Sequence, residues 1–120
     1  MKEVINQWFE QSAPFQGILA CGVCHPDQSA VAKVWADAFT EMAVENALRC
    51  VADLFQVLHL NRLRPGRVRW VYHGAFLHCE RRPDGACLGV FISKNADAVD
   101  PSGLERVFGE FQALAPTVPP

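Results

Sequence analysis

Cys21-Gly22-Val23-Cys24-His25 is the one short run in this chain that spells out a chemistry. It matches C-x-x-C-H, the attachment signature of c-type haem, in which two thiols bind the porphyrin and the imidazole ligates iron. That chemistry needs both thiols and the imidazole exposed together, and an export route. Here the run ends an apolar stretch, Gly17 to Cys24, that reads as a strand. Residues three apart on a strand point to opposite faces, so the geometry argues against haem. A zinc site using Cys21, Cys24 or His25 with His78 and Cys79 needs four ligands converging tetrahedrally. The expected reading is buried structural thiols, with a metal or redox protein using Cys21, Cys24 and His25 as the alternative. The chain has no Gly-rich loop with a phosphate-binding Lys, no nucleophile elbow and no paired carboxylates beside an evident cleft. Neither an enzyme nor a cofactor is expected.

The second concentration of chemistry is cationic. Residues 61 to 82 hold Arg62, Arg64, Arg67, Arg69, Arg81 and Arg82 against Glu80 alone, while the whole chain has a net charge of −2. The alternation pattern places Arg67 and Arg69 across a hairpin from Arg81 and Arg82, with Arg62 and Arg64 on the approaching loop. A solvated rim is one reading. Docking of an acidic protein through Arg62, Arg64, Arg67, Arg81 and Arg82 is the other. Nucleic acid is not expected, because no aromatic stacking platform accompanies the charge.

These side chains must be held by elements legible in the pattern. Residues 2 to 12 form an amphipathic helix with Val4, Ile5, Trp8 and Phe9 on one side, ended by Pro14. Residues 17 to 24 and 29 to 35 read as two strands joined by a turn at 25 to 28, and residues 67 to 73, 75 to 82 and 86 to 93 read as three more. Pro83-Asp84-Gly85 turns the chain between the last two. Asp100-Pro101 opens a final helix carrying Leu104, Val107, Phe108, Phe111 and Leu114. Strands 17 to 24 and 86 to 93 are apolar on both sides, which makes them central neighbours. The fold class is therefore α+β: a five-stranded antiparallel sheet in spatial order 2-1-5-4-3, one long helix on one face and two terminal helices on the other. Strand 67 to 73 falls at an edge.

The long helix, expected from Asp37 to Asn61 with Asp37 as its N-cap, carries two adjoining apolar stripes. Phe39, Ala43, Ala47, Cys50, Leu54 and Leu58 make one; Val44, Leu48, Val51 and Phe55 make the other. Together they span roughly 180°, where a helix on one sheet needs about 100°. Either a broad sheet covers both, or one stripe meets the sheet and the other meets the same helix of a second copy. Candidate contacts for a homodimer are Ala43, Val44, Ala47, Leu48, Cys50, Val51 and Phe55, with Arg69, Trp70 and Tyr72 on the edge strand.

With 120 residues and 50% hydrophobic content, residues 1 to 115 are expected as one domain and 116 to 120 as a flexible tail. No apolar run approaches the roughly 18 residues of a membrane span, and Glu3, Asn6, Gln7 and Glu10 interrupt any leader-like stretch. Five scattered cysteines suit reduced thiols and a cytoplasmic setting.

In element order, and in the run PGRVRWVYHGAFLHCERRPDGACLGVFIS leading into the last helix, the chain resembles the Roadblock/dynein-light-chain family over residues 2 to 114. The resemblance implies a Roadblock/profilin-like fold and a homodimer formed through the long helix and the following edge strand. It also implies a non-catalytic scaffold or regulatory role, in bacteria often beside small Ras-like GTPases. A dimeric secretion chaperone, also a small α+β dimer, is a further alternative.

Overall fold

A computed structural model describes residues 1–116. The expected tail therefore lies almost wholly outside the described residues. The elements are α1 (Lys2–Gln11), β1 (Ile18–Cys24), β2 (Ala30–Val34), α2 (Glu41–Leu60), β3 (Val68–Val71), β4 (Ala75–Arg81), β5 (Cys87–Ser93), a 3₁₀ turn (Ala96–Ala98) and α3 (Pro101–Ala113). The strands form one sheet in the order β2-β1-β5-β4-β3, with every neighbouring pair antiparallel. The two strands that are apolar on both sides, β1 and β5, sit beside one another in the middle.

Each face of the sheet has its own core. Ile5 and Phe9 of α1 and Leu104, Val107, Phe108 and Phe111 of α3 pack with Cys21, Val23, Leu88 and Val90 on one face. On the other, Val44, Leu48, Val51 and Phe55 of α2 meet Ala20, Cys24, Leu77, Cys79, Cys87 and Phe91. Two glycines set how closely α2 approaches. Gly22 and Gly89 are register partners on the central strands. A Cβ on Gly89 would stand 2.8 Å from Leu48 Cδ1, and one on Gly22 would stand 3.3 Å from Leu48 Cδ2 and 3.1 Å from Val44 Cγ1. Leu48 thus occupies the space that two absent side chains leave.

The start of α2 differs from expectation. Its N-cap is Thr40, whose Oγ1 accepts from the Ala43 N–H at 3.1 Å, and Asp37 stays outside the helix. The Phe39 ring packs on Phe91 at 4.9 Å between centroids, so residues 36 to 39 turn back onto the sheet before the helix begins. At the far end, Arg62 adopts φ 61° while the Leu63 N–H reaches the Leu58 carbonyl at 2.8 Å. This closes the helix with a left-handed residue, a place glycine usually takes. Asp100 caps α3 as expected, accepting from the Ser102 N–H at 3.0 Å.

Two glycine substitutions should have opposite signs. Gly89→Ala forces a methyl into Leu48 and is expected to lower stability by about 1–3 kcal/mol through overpacking. Gly109→Ala, on the exposed side of α3 with nothing within 4 Å of the added carbon, should raise it by about 0.4–1 kcal/mol. Urea denaturation of the two variants measures both.

Candidate functional site

The Cys-x-x-Cys-His run does not assemble into a ligand set. The Cys21 side chain lies in the core under α1 and α3, and Cys24 lies in the core under α2. His25 is buried, its Nε2 sharing a 2.7 Å hydrogen bond with Asn6 Oδ1 on α1. Burial, followed by the charge of Lys2, holds the His25 pKa below its ordinary value. Burial also pushes the Cys21 and Cys87 thiols up to about 12 and raises those of Cys24 and Cys79. Such thiols carry little thiolate at neutral pH and are poor nucleophiles and ligands. His78 and Cys79 occupy successive positions on β4, so their side chains take opposite faces, and β5 separates that strand from β1. Among the described residues, no three His, Cys, Asp or Glu side chains are grouped to hold a metal ion. Cys50 alone is exposed.

The arginine cluster divides into two kinds. The register pairs Val68 with Cys79 and Arg69 with His78, which brings Arg67 opposite Glu80 rather than opposite another arginine. Arg67 Nε donates to Glu80 Oε2 at 2.8 Å and Nη1 to Glu105 Oε1 at 2.6 Å, and the guanidinium lies 4.2 Å from the Phe108 ring centre. Arg82 is 6% exposed; its guanidinium donates to the carbonyls of Phe111 and Leu114 and to Asp84. Both were expected on a docking rim, and both instead tie α3 to the sheet. Arg82 donates to two carbonyls at the end of α3, that of Leu114 and that of Phe111, which also accepts from the Leu114 N–H at 3.4 Å. Arg62 and Arg64 are exposed, and Arg81 is half-buried. Arg64 and Arg81 line a shallow cleft with Phe55, His59 and Leu63 at the C-terminal end of α2.

The two stripes of α2 also separate. Val44, Leu48, Val51 and Phe55, expected as possible dimer contacts, are all buried in the chain's own core, because they are the residues aimed at the sheet. Ala43 and Cys50 are exposed and Ala47 is half-buried. Leu54 (38% exposed) and Val57 (53% exposed) extend this open stripe. Spacing alone could have added Val57, which follows Cys50 and Leu54 at i+7 and i+3. α2 packs mainly over β1 and β2 and more lightly over β5 and β4, and its first turns stand apart from the β3–β4 turn around Tyr72 and Gly74. An apolar groove of about 520 Å³ opens there, lined by Leu19, Phe39, Ala43, Ala47, Tyr72 and Phe91 among others. Beside it runs the unpaired edge of β3, where Trp70 is half-buried, Arg69 and Tyr72 are exposed, and Val71 is 64% exposed.

Two outcomes follow from this geometry. In the folded protein no more than one thiol per chain, Cys50, should react with Ellman's reagent before unfolding releases the rest; a second fast thiol would reopen the metal reading. Arg82→Ala should cost about 2–4 kcal/mol in urea denaturation, since it removes the buried guanidinium's bonds to Phe111, Leu114 and Asp84 that tie α3 to the sheet, whereas Arg62→Ala should cost less than about 0.5 kcal/mol.

No protein-family profile matches the sequence, and no curated protein matches it. None of the helices among the described residues is long and apolar enough to cross a membrane. Among solved structures, the chain is similar to the Roadblock/LC7 domain from Streptomyces avermitilis, at a TM-score of 0.59 and 9% sequence identity, covering 93% of this chain and 91% of that one. The element order, the 2-1-5-4-3 sheet, the helix layers and this alignment agree: the chain has the Roadblock/LC7 fold.

Proposed function

We propose that this protein is a non-catalytic homodimeric scaffold or regulatory module of the cytoplasm, which presents surface to protein partners, a small Ras-like GTPase among them. The observation that carries the reading is the open stripe of α2 lying beside the unpaired β3 edge, with an apolar groove between them. A single chain leaves this apolar surface facing water, and a second copy placed about a two-fold axis covers it. Small side chains at Ala43, Ala47 and Cys50 permit close approach of two helices, while Leu54, Val57 and Tyr72 supply apolar area to bury. Pairing of two β3 edges satisfies backbone groups that are otherwise unpartnered and removes an aggregation-prone edge. The Roadblock/LC7 fold supports a binding role over catalysis, and the GTPase assignment rests on the family resemblance.

Solution mass from light scattering over a tenfold concentration range tests the dimer. The wild type should be dimeric. Leu54→Glu should be monomeric with an unchanged circular dichroism spectrum. A wild type that is monomeric throughout, or a Leu54→Glu variant that remains a dimer, overturns the assignment of this face.

A further inference from the structure

The cationic groups of this chain divide by partner. Lys2, Arg49, Arg67, Arg82 and Arg106 pair with carboxylates, and Lys33 donates to the carbonyls of Glu10 and Ser12. Among the described residues, Arg62, Arg64, Arg69, Arg81 and Lys94 have no such partner. Two of these five converge on one ring. Arg69 Cζ lies 4.7 Å and Lys94 Nζ 5.5 Å from the centre of the Phe76 ring. Each cation is attracted by the electron-rich face of the ring. Sharing one ring also holds the two like charges on the scale of a Debye length, about 10 Å. A bound anion would gain from both charges at once.

The surroundings reinforce this. Phe76 pairs with Val71 in the β3–β4 register, and Val71 is the more exposed of the apolar pair. His78 is the register partner of Arg69, and its Nδ1 is buried with no hydrogen-bond partner. Burial first, then the charges of Arg67 and Arg69, hold the His78 pKa below its ordinary value. The neighbouring carboxylates Glu80 and Glu105 are taken up by Arg67. Asp97, shortly beyond Lys94 in the chain, is the nearest acid in sequence without a cation.

We infer that Arg69, Lys94 and the Phe76 ring form a docking ledge for an acidic segment of a partner protein, whose carboxylates meet the two cations while an apolar side chain lies against Val71 and Phe76. The ledge is on the α1–α3 face of the sheet, the face opposite α2, so it is separate from the apolar stripe. With a net charge of −2 the whole molecule does not attract polyanions, which makes the ledge a local feature. One half-buried ring is not the row of stacking aromatics that single-stranded nucleic acid uses. The inference extends the partner-binding reading. If β3 edges pair as proposed, Arg69, near the middle of β3, brings two ledges side by side.

Fluorescence anisotropy with a short fluorescein-labelled poly-L-glutamate peptide tests it. The peptide should bind saturably at low salt and weaken as salt rises. Lys94→Glu and Arg69→Glu should each reduce affinity about tenfold, and Arg62→Glu should leave it unchanged. Lys94 lies off β3, so its variant keeps the fold and the wild-type solution mass. Absence of saturable binding, equal binding by Lys94→Glu and wild type, or tighter binding of a single-stranded oligonucleotide each overturns the ledge. Because the solution mass is measured on the same samples, a monomeric wild type that still binds the peptide through Lys94 removes the dimer and leaves the ledge standing.

Discussion

Leu48 pressed into the gap over Gly22 and Gly89 is the contact on which the arrangement of this molecule depends. It draws α2 close to the two central strands, and both its own side chain and the strands beneath it are removed from water. Full burial of a leucine is worth about 1.5–3 kcal/mol; a Cβ at position 89 would stand too close to Leu48 for that depth, and one at position 22 would make a tight contact. Once α2 is fixed there, most of its contacts fall on β1 and β2, with fewer on β5 and β4. A helix is about 10 Å across, so it covers roughly two strands of a sheet whose strands lie about 4.8 Å apart. The β3–β4 turn beside the start of α2 is left open by that geometry. Val44, Leu48, Val51 and Phe55 fill the core, and Ala43 and Ala47 of the smaller stripe line the groove beside that turn.

The other face is held by a different device. Arg67 and Arg82 reach from the strand side to α3, one through Glu105 and the Phe108 ring, the other through the carbonyls of Phe111 and Leu114. A buried guanidinium is costly unless its donors are satisfied. Arg82 meets that requirement with two carbonyls and a carboxylate, and it is the planar fork of arginine that allows it to serve all three. These contacts remove two charges from the apparent cluster at residues 61 to 82. The remaining cations of the cluster are the ones that no carboxylate among the described residues neutralises.

The fold was largely legible because burial on both sides leaves a plain mark. Ile18 to Cys24 and Cys87 to Ser93 are apolar at almost every position, and no arrangement but a central one covers both faces of both strands. The strand order followed from that constraint and the short hairpins. What stayed illegible depended on register and on approach. Composition put Arg67 across from other arginines, yet Val68 pairs with Cys79, and that single offset changes the partner of Arg67 to Glu80. Spacing identified two stripes on α2 but could not rank them, since the ranking comes from Gly22 and Gly89, which in sequence look like interruptions of an apolar run. The start of α2 was misplaced because Asp37 is a good cap in isolation, whereas the packing of Phe39 on Phe91 selects Thr40. Cys21 and Cys24 were separable from the outset, because the alternation of a strand decides their faces without tertiary information.

The surfaces left over differ in the kind of recognition they allow. The stripe of α2 and the groove beside it are almost without polar groups, so association there gains from area and shape and is insensitive to salt. The Phe76 ledge offers two unneutralised cations and little apolar area, so association there is set by charge and weakens as ions screen it. A surface of the first kind, next to an open strand edge, suits a lasting contact with an identical chain, where both copies bury the same groups. A surface of the second kind suits a contact that forms quickly and dissociates. Because the two lie on opposite faces of one sheet, a protein can hold the first partner continuously while exchanging the second. The separation of these two surfaces follows from the depth to which Leu48 sinks and from the carboxylates that Arg67 claims.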